Sequence, residues 1–233
     1  MMQLNGHYDR TKAFFRESAV ERQGFYDGSP GVLEHTFWQM RMRRMVIQYL
    51  SGIITSGGSM KSLLDAGCGR GDFIKEIALK FPHLTEIGGT DFSGEALDIG
   101  RADLSGERRV FFKEADLLHL PFDDGRFDIV TCINVIHHVH HDDFAAALSE
   151  LSRITRHCLI VEIKNLGNIY WRYLHPPRVH GIDIFPVTIA ETAACIEPQG
   201  FRLSSKLGIF GFPVLSPIVT LVFQKEKAMS IPA

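Results

Sequence analysis

The apolar positions of this chain alternate between short continuous runs and helical spacings. A first run ends at Leu63-Leu64, and from Phe73 the apolar residues recur at helical spacing until Pro82. Similar runs predict strands at 85–91, 109–115, 129–133 and 158–163, and helices after Ser93, over 144–155 and over 188–197. Two last runs, 201–209 and 214–224, predict a closing β-hairpin. Strands and helices that alternate in this way are typical of an α/β fold with a mostly parallel sheet.

Residues 1–57 precede the first strand and predict an aromatic-rich arm followed by a helix over about 34–51. The helix has one broad apolar face and arginines mostly off it; the face comprises Trp38, Met42, Met45, Val46, Tyr49 and Leu50, and the arginines are Arg41, Arg43 and Arg44. Three interpretations stay open. The helix packs on the domain, which the apolar face favours, or covers a substrate cleft, or lies on a membrane surface, for which three arginines make a thin basic face.

The amino-acid composition limits which class of protein this chain can belong to. The 233 residues are 45% hydrophobic and 22% charged, with a formal net charge of −2, which predicts a globular domain without a general nucleic-acid footprint. The four cysteines lack C-x-x-C spacing, which predicts reduced thiols and neither a zinc site nor disulfides. No signal-peptide pattern and no apolar run of the ~20 residues needed to span a bilayer is present. A cytoplasmic protein is therefore expected.

The most informative stretch is the glycine-rich turn between the first strand and its helix. Asp65 ends the strand, and Gly67, Gly69 and Gly71 follow at alternate positions. A strand, a glycine turn and a helix N-terminus together present backbone N–H groups to a ligand. The dinucleotide fingerprint G-x-G-x-x-G requires glycine where this chain has Asp72, and an acid there would oppose a pyrophosphate.

The stretch from Leu63 to Gly71 instead resembles motif I of the class I S-adenosylmethionine-dependent methyltransferases, of the ubiquinone/menaquinone-biosynthesis (UbiE-like) type. That motif is a hydrophobic pair followed by Asp-x-Gly-Cys-Gly-x-Gly, as found here. A second hallmark is the segment from Leu120-Pro121-Phe122 through an acidic turn to Phe127-Asp128. The resemblance implies a Rossmann-like, seven-stranded, mostly parallel sheet with an antiparallel last strand and helices on both faces. Residues 58–233 would form this domain, with an insertion at 164–187, and 1–57 would form a helical cap.

The resemblance also implies a binding site for S-adenosylmethionine and release of S-adenosylhomocysteine. The residues implied to contact the cofactor are Asp65, Gly67, Cys68, Gly69, Gly71, Asp91, Phe92, Asp116, Leu117 and Asn134. Asp65 and the glycines would hold the methionine end, and Asp91, at the end of the second strand, would accept hydrogen bonds from the ribose hydroxyls. Phe92 and Asp116-Leu117 would meet the adenine. Leu120 to Phe122 and Asp128 are assigned structural roles.

The loop after the fourth strand contains four histidines and two aspartates between Asn134 and Asp143. Adjacent histidines on an irregular loop do not fix a coordination geometry, so no metal site is assigned. His137 or His138 is a candidate general base, because an imidazole can accept a proton at neutral pH, although either could merely line the cleft. The Asn-Pro-Pro-Tyr motif of nucleic-acid amino-methylating enzymes is absent, which disfavours a nucleic-acid substrate.

The predicted function is methyl transfer to an O, N or C nucleophile of a small molecule. The aromatic arm and the 164–187 insertion, where aromatics interleave with Arg172, His175, Arg178 and His180, suggest an aromatic or hydrophobic acceptor. The insertion could equally be a lid or a loop packed on the arm. Two other functions stay open: a non-catalytic or regulatory protein that binds S-adenosylmethionine, and a nicotinamide-dependent oxidoreductase.

Overall fold

The structure is a computed structural model that describes residues 8–16, 33–57, 60–175, 178–179, 182–209 and 212–226, with side chains described throughout these ranges except at 33–39, 55–57 and 178–179. The helices are α1 (8–16), α2 (Leu33–Gly57), α3 (Asp72–Lys80), α4 (Gly94–Asp103), α5 (His141–Ile154) and α6 (Ile189–Ile196). The strands are β1 (Ser62–Ala66), β2 (Glu86–Asp91), β3 (Val110–Glu114), β4 (Phe127–Cys132), β5 (Thr155–Lys164), β6 (Arg178–Val179), β7 (Ile182–Asp183), β8 (Phe201–Gly208) and β9 (Ile218–Lys225).

Seven strands form one sheet in the order β3-β2-β1-β4-β5-β9-β8, and β6 and β7 pair separately. The first five of these strands run parallel, and β9 is antiparallel to both β5 and β8. This confirms the predicted seven-stranded sheet with an antiparallel last strand. The chain order reverses between β1 and β4, so the carboxyl ends of these two strands border a crevice where open α/β sheets bind ligands.

Two apolar cores cover the two faces of the sheet. On one face, α2 and α3 pack through residues such as Leu50 and Ile77. On the other, α5 and α6 pack through residues such as Leu148 and Ile196. The buried positions of α2 between 40 and 54 are Met42, Val46, Ile47, Leu50 and Ile54, which agrees with the first interpretation, a helix packed on the domain. Trp38, also assigned to this face, lies outside the described side chains.

Several sequence-based boundaries were wrong, most clearly at the α5–β5 junction. The sequence analysis ended the helix at 155 and began the next strand at 158, but α5 ends at Ile154 and β5 begins at Thr155, so Arg156 and His157 belong to the strand. Within the strand, the Arg156 guanidinium donates to Asp128 Oδ1 at 2.8 Å. The last strand begins at Ile218, because Pro213–Leu215 forms a short 3-10 turn.

Asp128 and Leu120–Phe122 are structural, as predicted. Asp128 Oδ2 accepts hydrogen bonds from the Lys61 and Ser62 N–H groups at 2.7 and 3.0 Å. Burial alone would raise the pKa of Asp128, but these bonds and Arg156 together hold it below its usual value. Phe122 packs edge-on against Phe127, with ring centroids 4.9 Å apart.

Helix α1 lies across the carboxyl edge of the sheet. Tyr8 Oη donates to Asp143 Oδ2 at 2.7 Å, and Arg10 reaches Asp183 at 3.4 Å. Near its other end, Lys12 lies 3.8 Å from Asp116 and Arg16 lies 3.7 Å from Glu95. These contacts are consistent with the expected N-terminal cap, which stays a prediction as a separate unit. None of the helices in the described part of the chain is long and apolar enough to cross a membrane.

Candidate active site

A pocket opens at the carboxyl edge of the sheet, beside the reversal between β1 and β4. Its walls come from the turn after β1, the end of β2, the loop after β4, the end of β5, and helices α1 and α2. The lining residues are Phe15, Arg43, Asp65, Gly67, Cys68, Gly69, Arg70, Asp72, Phe73, Asp91, Phe92, Ser93, Ala96, Ile133, Asn134, Val135, His138 and Glu162. Seven of the ten residues predicted to bind the cofactor therefore line one pocket, whereas Gly71, in the same turn, and the pair Asp116-Leu117 are not part of the lining.

Backbone geometry explains the glycine turn. Gly67, Gly69 and Gly71 all adopt positive φ, at 80°, 54° and 80°. The Gly67 and Cys68 N–H groups donate to the Thr90 carbonyl at 2.7 and 2.9 Å, which ties the turn to β2. A Cβ at Gly67 would lie 2.3 Å from a Val135 methyl, whereas a Cβ at Gly69 would meet nothing within 4 Å. Gly67 therefore allows close packing, and Gly69 leaves bare backbone facing open space.

Replacing Gly67 and Gly69 with alanine, one at a time, should separate the energetic cost of backbone strain from that of steric crowding. Gly69→Ala should lower the free energy of unfolding by about 1–2 kcal/mol, the cost of a left-handed conformation with a Cβ. Gly67→Ala has the same conformational cost and must also displace Val135, which adds about 1–3 kcal/mol. Denaturant unfolding of both variants tests this, and equal losses would contradict the packing role of Gly67.

Asp91 connects the glycine turn to the end of β2. Its Oδ2 accepts from the Gly69 N–H and its Oδ1 from the Ser93 N–H, both at 2.9 Å. Ser93 in turn caps α4, since its hydroxyl accepts from the Ala96 N–H at 3.2 Å. Burial raises the pKa of Asp91, although these backbone hydrogen bonds oppose the rise. The carboxylate has about four acceptor sites, so it retains capacity to accept a hydrogen bond from a ligand in the pocket.

Asp65 is a buried acid on the floor of the pocket, only 4% exposed. Burial raises its pKa from the usual 3.8 to about 6, with a smaller contribution from Asp91; the hydrogen bond from Thr131 and the charge of Arg43 oppose the rise. The Thr131 hydroxyl donates to Asp65 Oδ1 at 2.7 Å. A cation bound beside Asp65 would favour its ionised form.

The raised pKa of Asp65 makes stability fall as pH rises. Between about pH 4 and 6 the folded chain retains a proton on Asp65 that the unfolded chain has released, so this contribution falls by about 3 kcal/mol by pH 6.5. Asp65→Asn keeps an oxygen for Thr131 and removes the titration. Unfolding both proteins across this range should show the variant gaining relative stability as pH rises, and parallel curves would refute the assignment.

A buried ion pair beside the pocket was missed by the sequence analysis. Glu162 and Lys164 lie near the end of β5, each 2% exposed, with Nζ 3.6 Å from Oε1. Burial raises the pKa of Glu162 and lowers that of Lys164. Lys164 also donates to Asn134 Oδ1 at 3.1 Å, and Asn134 has a left-handed backbone with φ 60°.

Arg43 of α2 also lines the pocket, a role that the sequence analysis did not assign to it. The sequence placed it mostly off the apolar face, but it is half-buried and lines the pocket. Its charge favours the ionised forms of Asp65 and Glu162. The two charged residues in the otherwise apolar β5 run were a signal for Glu162 and Lys164, whereas Arg43 had no local signal.

In the loop after β4, the two candidate bases, His137 and His138, differ in their access to the pocket. His138 lines the pocket, while His137 is buried beside it, only 3% exposed. Phe15 of α1 packs edge-on against His138, with ring centroids 5.0 Å apart, and lies 6.2 Å from Phe92. No group of three or more metal-ligating side chains occurs within the described ranges. Of the two histidines, only His138 is placed to contact a ligand in this pocket.

Asp116 and Leu117 lie beside the pocket. The Ala115 N–H donates to the Asp91 carbonyl at 3.0 Å, which places the next residue close to the site. Asp116 has a half-exposed side chain, and its Oδ1 accepts from the Leu118 N–H at 3.0 Å. The assignment of these two residues to adenine stays a prediction.

The sequence of this chain is similar to that of several known proteins. A family model described as a methyltransferase domain matches residues 63–157. The chain is 28% identical to a demethylmenaquinone methyltransferase of Staphylococcus saprophyticus over 57% of this chain, but this match spans only about half (54%) of that relative. It is 36% identical to an uncharacterized protein of Methanocaldococcus jannaschii, covering 72% of this chain and 71% of that relative.

Among solved structures, the fold is similar to that of magnesium protoporphyrin IX methyltransferase from Synechocystis PCC 6803 with bound SAH. The TM-score is 0.73 at 17% identity, covering 94% of this chain and all of that one. At this identity the likeness concerns the fold alone. The matched methyltransferase domain and the two sequence relatives establish the family: the chain belongs to the class I S-adenosylmethionine-dependent methyltransferases of UbiE-like type.

Proposed function

We propose that this protein transfers a methyl group from S-adenosylmethionine to a small-molecule acceptor. The charge of the pocket carries the proposal. Four carboxylates line it, and two of these have cationic partners: Asp72 lies 3.9 Å from Arg70, and Glu162 pairs with Lys164. Asp65 and Asp91 remain, and Arg43 is the one other arginine or lysine of the lining, which leaves an excess of one negative charge.

That excess suits S-adenosylmethionine better than a dinucleotide. The cofactor carries a sulfonium, an ammonium and a carboxylate, for a net charge of +1, whereas a dinucleotide brings a pyrophosphate. Asp72 occupies the first position of α3 and faces the pocket, where a pyrophosphate would need bare N–H groups. These features favour methyl transfer over the nicotinamide-dependent alternative.

Different residues of the pocket are assigned to different parts of S-adenosylmethionine. We assign the methionine end to Asp65 and the turn Gly67–Gly71, including Cys68, with Arg43 available for the carboxylate. Asp91 would accept from the ribose hydroxyls, and Phe92 would contact the adenine. Asn134, oriented by Lys164, would complete the wall between cofactor and acceptor.

When bound, S-adenosylmethionine supplies a methyl group already activated by its sulfonium. The main contribution of the protein is then alignment of the two reactants, which supplies about 7–11 kcal/mol in favourable cases. A base is needed only for an acceptor that must lose a proton. His138 is the candidate for that role, because it faces the pocket and His137 does not.

The proposed acceptor is an aromatic or hydrophobic small molecule. Phe15, Val135 and His138 line the pocket alongside the polar turn. The relative from Staphylococcus saprophyticus is named for demethylmenaquinone, an acceptor of this chemical class. The four free cysteines support a reducing compartment, and a cytoplasmic location stays a prediction.

Calorimetric titration with S-adenosylmethionine, S-adenosylhomocysteine and NAD tests the cofactor. Binding of the first two alone is expected, whereas binding of NAD alone, or of none, would refute the proposal. Formation of S-adenosylhomocysteine in the presence of a panel of quinols and phenols tests catalysis. Cofactor binding without product on any acceptor or cell extract would indicate the non-catalytic alternative.

A further inference from the structure

Glu162 is a buried carboxylate of the pocket to which no part of the cofactor is assigned. It lines the pocket and is only 2% exposed. Its Oε1 lies 3.6 Å from Lys164 Nζ, within reach of an ion pair but beyond the usual hydrogen-bond length of about 2.7–3.2 Å. By contrast, Asp65 and Asp91 accept hydrogen bonds of 2.7–2.9 Å. A carboxylate has about four acceptor sites, so Glu162 retains capacity for a molecule in the pocket.

The order of the strands places Glu162 on the acceptor side of the pocket. The residues assigned to ribose and adenine, Asp91 and Phe92, lie at the end of β2, and those assigned to methionine lie at the end of β1 and in the turn after it. Across the sheet, β4 follows β1 and β5 follows β4. Asn134, assigned to the wall between cofactor and acceptor, follows β4 and accepts from Lys164 at 3.1 Å. Glu162, near the end of β5, is thus one strand further from the cofactor than this wall.

A second buried polar group lies directly beside Glu162 on the sheet. Glu162 pairs with Thr220 of β9, and Ile160 and Val222, two residues away on the same two strands, belong to the core under α2. Thr220 is fully buried, and its hydroxyl has no hydrogen-bond partner among the described residues. Because buried polar groups are rarely left unpaired, a polar partner from solvent or from a bound molecule is expected beside Glu162.

The charges around Glu162 suit a proton acceptor. Burial raises its pKa, and the charges of Lys164 and Arg43 oppose the rise. A general base works best when its pKa lies near the operating pH, so a carboxylate whose pKa is raised accepts a proton more readily than an exposed one does. The two cations at the same time favour the ionised carboxylate, which is the form that a base needs.

His138, the candidate among the histidines, lies on another side of the pocket. Its ring contacts Phe15, with centroids 5.0 Å apart. Phe15 in turn contacts Phe92, the residue assigned to adenine, at 6.2 Å. His138 is therefore tied to the adenine side, whereas Glu162 lies beyond Asn134.

We propose that Glu162 is the catalytic base that accepts a proton from the methyl acceptor, with Lys164 as its positioning residue. This rests on the proposed function and gives Glu162 the role for which His138 is the candidate among the histidines. The nucleophilic O, N or C of the acceptor forms a bond to the methyl carbon as the bond from that carbon to sulfur breaks, and the electron pair stays on sulfur. The proton of the nucleophile passes to a carboxylate oxygen of Glu162 and later to solvent.

Initial rates on phenols of graded acidity test this role, because a nucleophile that has already lost its proton needs no base. General bases contribute about 10²–10⁴-fold, so Glu162→Gln should lose at least about 10²-fold in kcat/KM on unsubstituted phenol. On 4-nitrophenol, which is largely ionised at about pH 8, the loss should be less than about tenfold. An equal loss on both phenols would indicate structural damage and overturn the proposal.

The pH dependence gives the same answer for an acceptor supplied by cell extract. The ratio of the wild-type rate to the Glu162→Gln rate should fall as the pH rises from about 7 to 9, because hydroxide then removes the proton without a base. A ratio that does not change with pH would contradict a role in proton transfer.

Two further variants separate the base from its neighbours. His138→Gln is compared on the same phenols, and a loss confined to the less acidic phenol in this variant, but absent from Glu162→Gln, would return the role to His138. Glu162→Gln leaves Lys164 buried without its partner, which is destabilising. Glu162→Gln/Lys164→Met removes both charges and carries the same test if the single variant does not fold.

Calorimetric titration with S-adenosylmethionine separates this inference from the proposed function. Glu162→Gln should bind the cofactor within about threefold of wild type, and a larger loss would assign Glu162 to the cofactor instead of the acceptor. Wild type that binds no S-adenosylmethionine, or that forms no S-adenosylhomocysteine with phenols, quinols or cell extract, would refute the proposed function itself.

Discussion

Replacing Lys164 with methionine is expected to lower the free energy of unfolding by about 3–5 kcal/mol, the range found when one partner of a buried ion pair is removed. Lys164 and Glu162 are each 2% exposed, so Glu162 would keep a buried carboxyl without its lysine. Asn134 would also lose the donor that contacts its Oδ1 at 3.1 Å. For a domain of this size, the loss corresponds to a decrease in Tm of roughly 6–20 °C.

A double variant provides the control for Lys164. Glu162→Gln/Lys164→Met removes both charges, and buried pairs replaced together are often near neutral in stability, whereas single removals are not. We expect the double variant to be more stable than Lys164→Met alone by at least about 1 kcal/mol. Thermal unfolding of the three proteins measures this difference. Equal Tm values for wild type and Lys164→Met would show that the pair contributes no net stability.

The fold was largely predictable because its signals are local. Each core strand is a short apolar run, and the helices after β1 and β2 begin at a glycine turn and at the Ser93 cap, which are readable in the sequence. The boundary between α5 and β5 could not be predicted from the sequence. Arg156 is stabilised there by Asp128, a residue 28 positions away, and no local pattern reveals that contact.

The candidate site, like the fold, was only partly predictable from the sequence. Asp65 and Asp91 lie at the carboxyl ends of β1 and β2, and the glycine turn follows β1 directly, so their place at the carboxyl edge follows from the order of the elements. Phe15 and Arg43 reach the pocket only because α1 and α2 pack where they do, which depends on tertiary contacts. The sequence therefore predicted the half of the pocket assigned to the cofactor and missed the buried charges that set its electrostatics.

Replacing Asp91 with alanine is expected to weaken S-adenosylmethionine binding by roughly 10²–10⁴-fold. Two hydrogen bonds from ribose hydroxyls to a carboxylate are worth about 1.5–3 kcal/mol each, and about 1.4 kcal/mol is a factor of ten in affinity. The variant also removes the acceptor that holds the Gly69 N–H at 2.9 Å, so the glycine turn loses one of its ties to β2 and retains the hydrogen bonds to the Thr90 carbonyl. Calorimetric titration of wild type and variant measures the loss.

Asp91→Asn distinguishes ribose recognition from support of the turn. The amide retains one oxygen, which can accept from either Gly69 or Ser93, but it loses the charge and one acceptor. If ribose recognition dominates, Asp91→Asn should fall between wild type and Asp91→Ala in affinity while unfolding near the wild-type midpoint. If support of the turn dominates, both variants should lose stability along with affinity. A folded Asp91→Ala that binds S-adenosylmethionine as wild type does would remove Asp91 from the cofactor site, and the proposed orientation of the cofactor with it.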